Sequence, residues 1–316
     1  MQDIELGQTG LRIAPIVFGG NVFGWTADKE QSFRLLDQLY EAGFRSIDTA
    51  DVYSRWAPDN EGGESETILG EWFESRPGYR EHIVLMTKVG ADMGDGHTGL
   101  GKVWIEQAIE DSLRRLKTDY IDLYQSHWPD EKTTHEETLR VYQDLLAKGK
   151  VRAIGTSNFN TEQLQASFDC AEQNNLPAYQ TIQPEFNLYD RDGFNESLQQ
   201  LTLQHHMGVI TYFSLASGFL SGKYRSEADL EGQKRSDMVK KYINEKGFKL
   251  IDRLMHMANE YQAQPAEVAL AWLMAHPAVT APIASATKSS HIGSLLKATE
   301  LKLSQDDWHY LDQFMH

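Results

Sequence analysis

Cysteine is nearly missing from this chain of 316 residues, which holds only Cys170. No intrachain disulfide can form, and cysteine usage gives no support to a secreted scaffold. Cys170 sits in a helix-like segment, TEQLQASFDCAEQ, where a thiol behaves as a small apolar residue rather than a nucleophile. Long apolar runs are missing too, and no window approaches the roughly 18 residues of a membrane-crossing helix. The segment MQDIELGQTGLRIAPIVFGG has no basic start leading into an apolar run. No signal peptide is therefore expected, and the expected address is the cytoplasm. Positive charge is scarce: 30 Lys and Arg stand against 46 Asp and Glu, a formal net charge of −16. Nucleic acid and anionic membranes both need a positive footprint, so neither is expected as a partner. An anionic small ligand is still compatible, provided basic residues gather locally. Linkers, low-complexity tracts and repeats are absent, so residues 1–316 are expected to form one domain.

What the chain has is alternation. Short apolar, β-rich runs recur at 16–20, 46–50, 83–89, 120–128, 153–157, 181–186, 209–215 and 281–286. Amphipathic segments lie between them. In WIEQAIEDSLRRL, Ile105, Ile109, Leu113 and Leu116 recur at the helical period. Eight strands alternating with eight helices suggest an α/β fold of the (β/α)8 TIM-barrel type rather than an open sheet. Two elements fall outside the alternation: an N-terminal β-hairpin turning at Thr9-Gly10, and an extra C-terminal helix with Ser304 as its cap. Connections from helix to strand are short, whereas several from strand to helix are long, the longest spanning 216–245. Long loops collected on one face mark the face that carries chemistry.

The strand ends at that face are polar. The second ends in Asp48, the third in Lys88, the fourth in His127, the fifth in Ser157-Asn158 and the sixth in Gln183; the seventh adds Tyr212 and Ser214. An ammonium after the apolar run IVLM needs a partner, and Asp48 on the adjacent strand supplies one. Tyr53 lies one loop away. An ordinary phenol is a weak acid near neutrality, and a neighbouring ammonium is expected to lower its pKa into a usable range. His127 could hydrogen-bond the oxygen that receives the proton. Singly, each residue reads as structural: an ion pair, a packed phenol, a core histidine. Four on consecutive strand ends suit reversible proton transfer to a carbonyl oxygen.

DTADVY (48–53), LMTKVG (85–90), DLYQSHWPD (122–130), GKVRAIGTSNF (149–159) and SLASGFLSGKY (214–224) together resemble the aldo-keto reductase superfamily. The likeness is greatest to the microbial branch that groups with potassium-channel β-subunits. It implies a (β/α)8 barrel that binds NAD(P)H without a Rossmann domain. It implies Tyr53 as general acid tuned by Lys88 and Asp48, with His127 orienting the carbonyl. Ser157, Asn158 and Gln183 would bind the nicotinamide carboxamide and Tyr212 would stack on the ring, with Ser214 and Leu215 alongside. Lys223 and Arg235 would contact the cofactor phosphates. After the last strand, SATKSSHIGSLL departs from the family, where a Gly-Ala-Arg (or Ser) run is common, with a Gln and then an Asn on the next helix reaching the adenine; Ser285, Thr287, His291 and Leu295 occupy those places. NADPH is expected, with Lys288 as partner of the 2′-phosphate; NADH is the alternative.

Phe23, Trp25, Trp56 and Trp128 crowd the mouth loops and are expected to form a substrate pocket for an apolar or aromatic aldehyde or ketone. The segment GDGHTG (94–99) fits a dinucleotide glycine pattern, but Ala91-Asp92-Met93 separate it from its strand, so a loop beside the mouth is the reading. His205-His206 reads as a helix end, and no metal is expected. The expectation is thus a carbonyl reductase. The alternative is a cofactor-binding regulatory or redox-sensing subunit that acts through a protein partner.

Overall fold

The computed structural model describes residues 2–315. Strands β1 (Ile4–Glu5) and β2 (Arg12–Ile13) pair antiparallel as a hairpin. The barrel strands are β3 (Val17–Gly19), β4 (Ser46–Asp48), β5 (Val84–Val89), β6 (Ile121–Ser126), β7 (Val151–Ser157), β8 (Thr181–Gln183), β9 (Gly208–Thr211) and β10 (Ala281–Ala284). All eight pair in parallel, and β10 closes the ring between β9 and β3. The expected eight strands, their order and the hairpin are all present. Closure also removes the open-sheet reading of GDGHTG, which is a loop after β5 with Gly94, Gly96 and Gly99 at positive φ.

Around the barrel run α1 (Lys29–Glu41), α2 (Glu64–Ser75), α3 (Lys102–Leu116), α4 (His135–Ala147), α5 (Thr161–Asn174) and α6 (Glu196–Gln204). Then come α7 (Ser236–Lys240), α8 (Glu245–Glu260), α9 (Pro265–Met274), α10 (Ser289–Glu300) and α11 (Gln305–Asp312). Capping places several starts: Asp28 accepts from Gln31 N at 2.8 Å, and Asn160 and Gln163 cap α5 reciprocally. Ser304 accepts from Asp307 N at 3.1 Å, as expected for the last helix. His205 caps α6 and stacks on Phe168 at 3.9 Å. The count of eight helices is exceeded because three helices, α7 to α9, lie between β9 and β10. The segment 216–245 is likewise not a bare loop; it holds 3-10 turns at Ala216–Ser221 and Glu227–Leu230 before α7.

Strand alternation sets two layers inside the barrel. Leu6 of the hairpin, with Ile13, Val17, Met86, Leu123, Ala153, Ile210 and Ala281, forms an inner apolar cluster that fills the lower part. One repeat further along the same strands, the inward positions turn polar: Asp48, Lys88, Gln125, Ser157 and Gln183 are all buried. The outward residues pack under the helices in a second, larger core. Helices α2 and α3 approach closely at Gly70, where an added Cβ would collide with Arg115 O. Gly70→Ala is therefore expected to lower stability by about 1–3 kcal/mol, read from the urea midpoint. An unchanged midpoint would mean that the two helices can part at no cost.

Candidate active site

Lys88 is fully buried and makes three contacts through its ammonium: Asp48 Oδ2 at 2.6 Å, Thr49 O at 2.8 Å and Tyr53 Oη at 2.9 Å. The expected Asp48–Lys88 pair is formed. Asp48 Oδ1 accepts from Gln183 Nε2 at 2.9 Å and Gln125 Nε2 at 3.3 Å. Burial works against the charge on Lys88, yet Asp48 and Tyr53 hold its pKa above the ordinary lysine value.

The pKa of Tyr53 runs opposite to expectation. Burial raises it above the ordinary phenol value, Lys88 offsets this only in part, and Asp48 adds to the rise. The sequence shows the ammonium but not the depth at which the phenol sits. The Tyr53 and His127 rings meet edge-on at 6.0 Å. Burial first, and then Lys88, push His127 well below its usual pKa, so its imidazole is neutral. Among the described residues, the buried His127 Nδ1 has no hydrogen-bond partner.

A buried cluster backs this site on the outer side of β5. Glu66 accepts from Thr87 Oγ1 at 2.6 Å and from Arg115 Nε at 2.7 Å. Burial, then Glu66, raise the carboxyl of Asp51 well above the carboxylate range. Neither this cluster nor Gln125 stands out in the sequence reading. Gln125 had a signal, since it is polar and two residues from His127 on one strand face. The cluster had none, because Glu66 and Arg115 meet only when α2 packs on α3.

The next strand ends interlock. Ser157 Oγ donates to Gln183 O at 2.6 Å, and Asn158 Nδ2 donates to His127 O at 2.9 Å. Tyr212 Oη donates to Asn158 Oδ1 at 2.7 Å, which fixes the ring at the mouth. Asn158 has φ of 63° and Phe213 a φ of 51°, left-handed turns at which β7 and β9 leave the barrel. Ser214 is buried and donates to Thr211 O, with Leu215 half-buried after it.

Of the expected aromatic wall, Trp56 and Trp128 are each 49% exposed. Trp25 meets Trp56 edge-on at 5.7 Å, and Trp56 meets Tyr53 at 5.8 Å. Phe23 does not belong with them. It is fully buried against Phe18, a core residue rather than a pocket wall.

A barrel with a buried Lys–Asp pair touching a tyrosine, and a neutral histidine across from it, agrees with what comparison with known proteins finds. The aldo/keto reductase family model matches residues 15–316. The chain is 33% identical over 313 residues to the uncharacterized oxidoreductase YrpG of Bacillus subtilis, covering 97% of this chain and 93% of that protein. It belongs to the aldo/keto reductase family. The aldo-keto reductase YhdN of the same bacterium is 30% identical over 97% of this chain and 91% of its own length. A probable voltage-gated potassium channel subunit beta of Arabidopsis thaliana is 29% identical over 95% of this chain and 92% of its own. This aldo/keto reductase is accordingly a nicotinamide-dependent oxidoreductase of a family that acts on small carbonyl compounds.

The residues present fit such a cofactor. At the strand ends, Gln183 Oε1 receives no donor among the described residues, whereas its amide nitrogen is committed to Asp48 and Gln125. Further along, Ala216, Ser217 and Gly218 are consecutive left-handed residues, a backbone concavity of the kind that receives anions. A Cβ at Gly218 would stand 4.0 Å from Lys223 Nζ. Burial, Lys288 and Lys223 together lower the pKa of His291, so both lysines act on one point near the start of α10. Thr287 donates its N–H to His291 Nδ1 at 3.3 Å, and Ser285 donates to Asn21 Oδ1 at 2.7 Å. Leu295 is buried in the larger core. The Arg235 guanidinium lies 5.3 Å over the Trp25 ring and acts on Tyr224, the neighbour of Lys223. Among the described residues no group of three or more His, Cys, Asp or Glu could hold a metal.

Proposed function

We propose that this single barrel reduces aldehydes, and ketones that fit its mouth, to alcohols with NADPH, Tyr53 acting as the general acid. The observation that carries this reading is the three-way contact of Lys88 with Asp48, Thr49 O and Tyr53. When bound, the reduced nicotinamide supplies the hydride. Tyr53 is a full donor at neutral pH and gives its proton to the carbonyl oxygen. The phenolate left behind lies 2.9 Å from an ammonium, so its charge is stabilised as it forms. Asp48 keeps Lys88 charged and in place. His127, being neutral, can donate to the same oxygen without competing for the proton. Asn158, Gln183 and Ser157 would position the nicotinamide end and Tyr212 its ring. Ser214 and Leu215 lead into the 216–218 turn, where Lys223 would meet the pyrophosphate; Lys288, with Ser285, Thr287 and His291, would meet the adenosine end.

Two exposed lysines acting on His291 favour NADPH over NADH, because a 2′-phosphate adds charge that only a cationic site rewards. Turnover with an activated aromatic aldehyde, run in parallel with each cofactor, tests this. NADPH should give the higher kcat/KM, and Lys288→Ala should erase most of the difference. Equal rates with both cofactors in the wild type would remove the preference.

The pH profile follows from the signs above. Tyr53 must be protonated for reduction and its pKa is raised, so the rate should be flat through neutrality and fall only above about pH 10. His127 is already neutral and adds no step near pH 6.5. A rate that climbs or halves between pH 6 and 7 would contradict a neutral His127.

The kinship with a potassium channel β-subunit gives substance to a second reading, a redox-sensing subunit acting through a protein partner. Filled positions at Asp48, Tyr53, Lys88 and His127 favour the reductase, since a pure binding module has no use for a buried Lys–Tyr contact. Tight NADPH binding without turnover would favour the subunit.

A further inference from the structure

Two backbone carbonyls fix the direction of the hydrogen bonds at the ends of β7, β8 and β9. His127 O can only accept, so the Asn158 atom 2.9 Å from it is the amide nitrogen. Gln183 O can only accept as well, so the Ser157 hydroxyl commits its one hydrogen there, at 2.6 Å. Ser157 Oγ is then the acceptor for the other Asn158 Nδ2 hydrogen, at 3.1 Å. Asn158 Oδ1 is left facing Tyr212, whose hydroxyl has to donate, at 2.7 Å. The Gln183 amide is oriented by the same logic. Its nitrogen donates to the Asp48 carboxylate at 2.9 Å and lies 3.3 Å from Gln125 Oε1.

The result is one-sided. Every side-chain hydrogen of these four polar groups is committed within the protein, and lone pairs are what they still offer. Asn158 Oδ1 and Ser157 Oγ each keep one, Tyr212 Oη keeps its own, and Gln183 Oε1 accepts from no donor among the described residues. Asn158 and Tyr212 are half-buried, so this edge faces the mouth rather than the core. Turning the Asn158 amide over would set Oδ1 against His127 O, two acceptors face to face. The free donor lies on the substrate side: Tyr53 Oη accepts from Lys88 at 2.9 Å, which leaves its own hydrogen for a carbonyl.

We propose that Asn158, Ser157, Gln183 and Tyr212 form an acceptor-only subsite that reads the nicotinamide through the N–H bonds of its carboxamide, with Asn158 tied to His127 and not to the carboxamide oxygen. Asn158 is thereby a specificity-determining residue, which rejects a cofactor carrying an acceptor where the amide NH2 belongs. This rests on the NADPH reading above and specifies which atoms of the cofactor's ring amide are recognised.

Fluorescence titration of the purified protein with NADP+, its 3-acetylpyridine analogue and its nicotinic acid analogue tests this without turnover. The first analogue has a methyl group in place of the NH2; the second has a carboxylate, which can only accept. Wild type should bind the acetylpyridine analogue roughly tenfold more weakly than NADP+, the scale of one or two neutral hydrogen bonds. The nicotinic acid analogue should bind roughly 100-fold more weakly, because its carboxylate would meet oxygens and no donor. Asn158→Gly suits the φ of 63° at this position, and it should bring the nicotinic acid analogue closer to NADP+ by removing one opposing oxygen. If Asn158 instead donated to the carboxamide oxygen, the same variant would push that analogue further from NADP+, and this result overturns the subsite. So does a wild type that binds either analogue as tightly as NADP+, an arm that needs no variant to fold. A wild type that binds none of the three is a separate result, and it defeats the NADPH reading itself.

Discussion

Replacing Tyr53 by Phe should lower kcat for aldehyde reduction by about 10²–10⁴-fold, the usual scale for loss of a positioned general acid. The phenol acts on the oxygen as charge develops there, so its removal should lower kcat and kcat/KM together. NADPH affinity should stay within a few-fold, because the hydroxyl is tied to Lys88 and not to the 216–218 turn. The fold should survive: Lys88 keeps Asp48 Oδ2 and Thr49 O, and the ring keeps its contacts with Trp56 and His127. Stopped-flow measurement of the hydride step, beside a fluorescence titration of NADPH, separates the two effects. A near wild-type rate would mean that another group delivers the proton.

Lys88→Met should be costly in two ways. It strips the buried Asp48 of its counter-ion, a class of change that typically costs about 3–5 kcal/mol. It also removes the charge that would stabilise the Tyr53 phenolate, so reduction should collapse as in Tyr53→Phe. The two losses can be told apart. Adding Asp48→Asn removes the stranded charge, and the double variant should regain much of the stability, since Asn can still accept from Gln183 and Gln125. Its activity should not return. Chemical denaturation of the single and double variants checks the first claim, and turnover checks the second. A Lys88→Met protein as stable as wild type would show that the Lys88–Asp48 pair adds nothing to stability. Recovery of activity in the double variant would remove Lys88 from the proton step.

The barrel was legible because parallel strands buried on both faces read as apolar runs, and helices between them read at a period of 3.6. Asp48 and Lys88 were legible for a related reason: a charge at the end of such a run has to be explained. Gln125 escaped because an uncharged amide in a strand raises no alarm, although it shares Asp48 with Gln183. Phe23 and Trp25 were indistinguishable on paper, both being rings after the first barrel strand. Folding turns one onto Phe18 and the other onto Trp56. The sign of the Tyr53 shift was beyond the sequence, since it depends on how burial weighs against an ammonium 2.9 Å away. The segment 216–245 read as loop because its structure is short turns and a five-residue helix, too brief to leave a period.

In the proposed reaction a hydride passes from a nicotinamide to a carbonyl carbon while the chain supplies only a proton. Reducing an aromatic aldehyde with NADPH deuterated at its transferable position, in ordinary water, and then with ordinary NADPH in heavy water, tests it. Deuterium is expected on the carbinol carbon of the alcohol in the first experiment and none there in the second. Carbon-bound deuterium acquired from the solvent, or no alcohol at all although NADPH is bound, would contradict it.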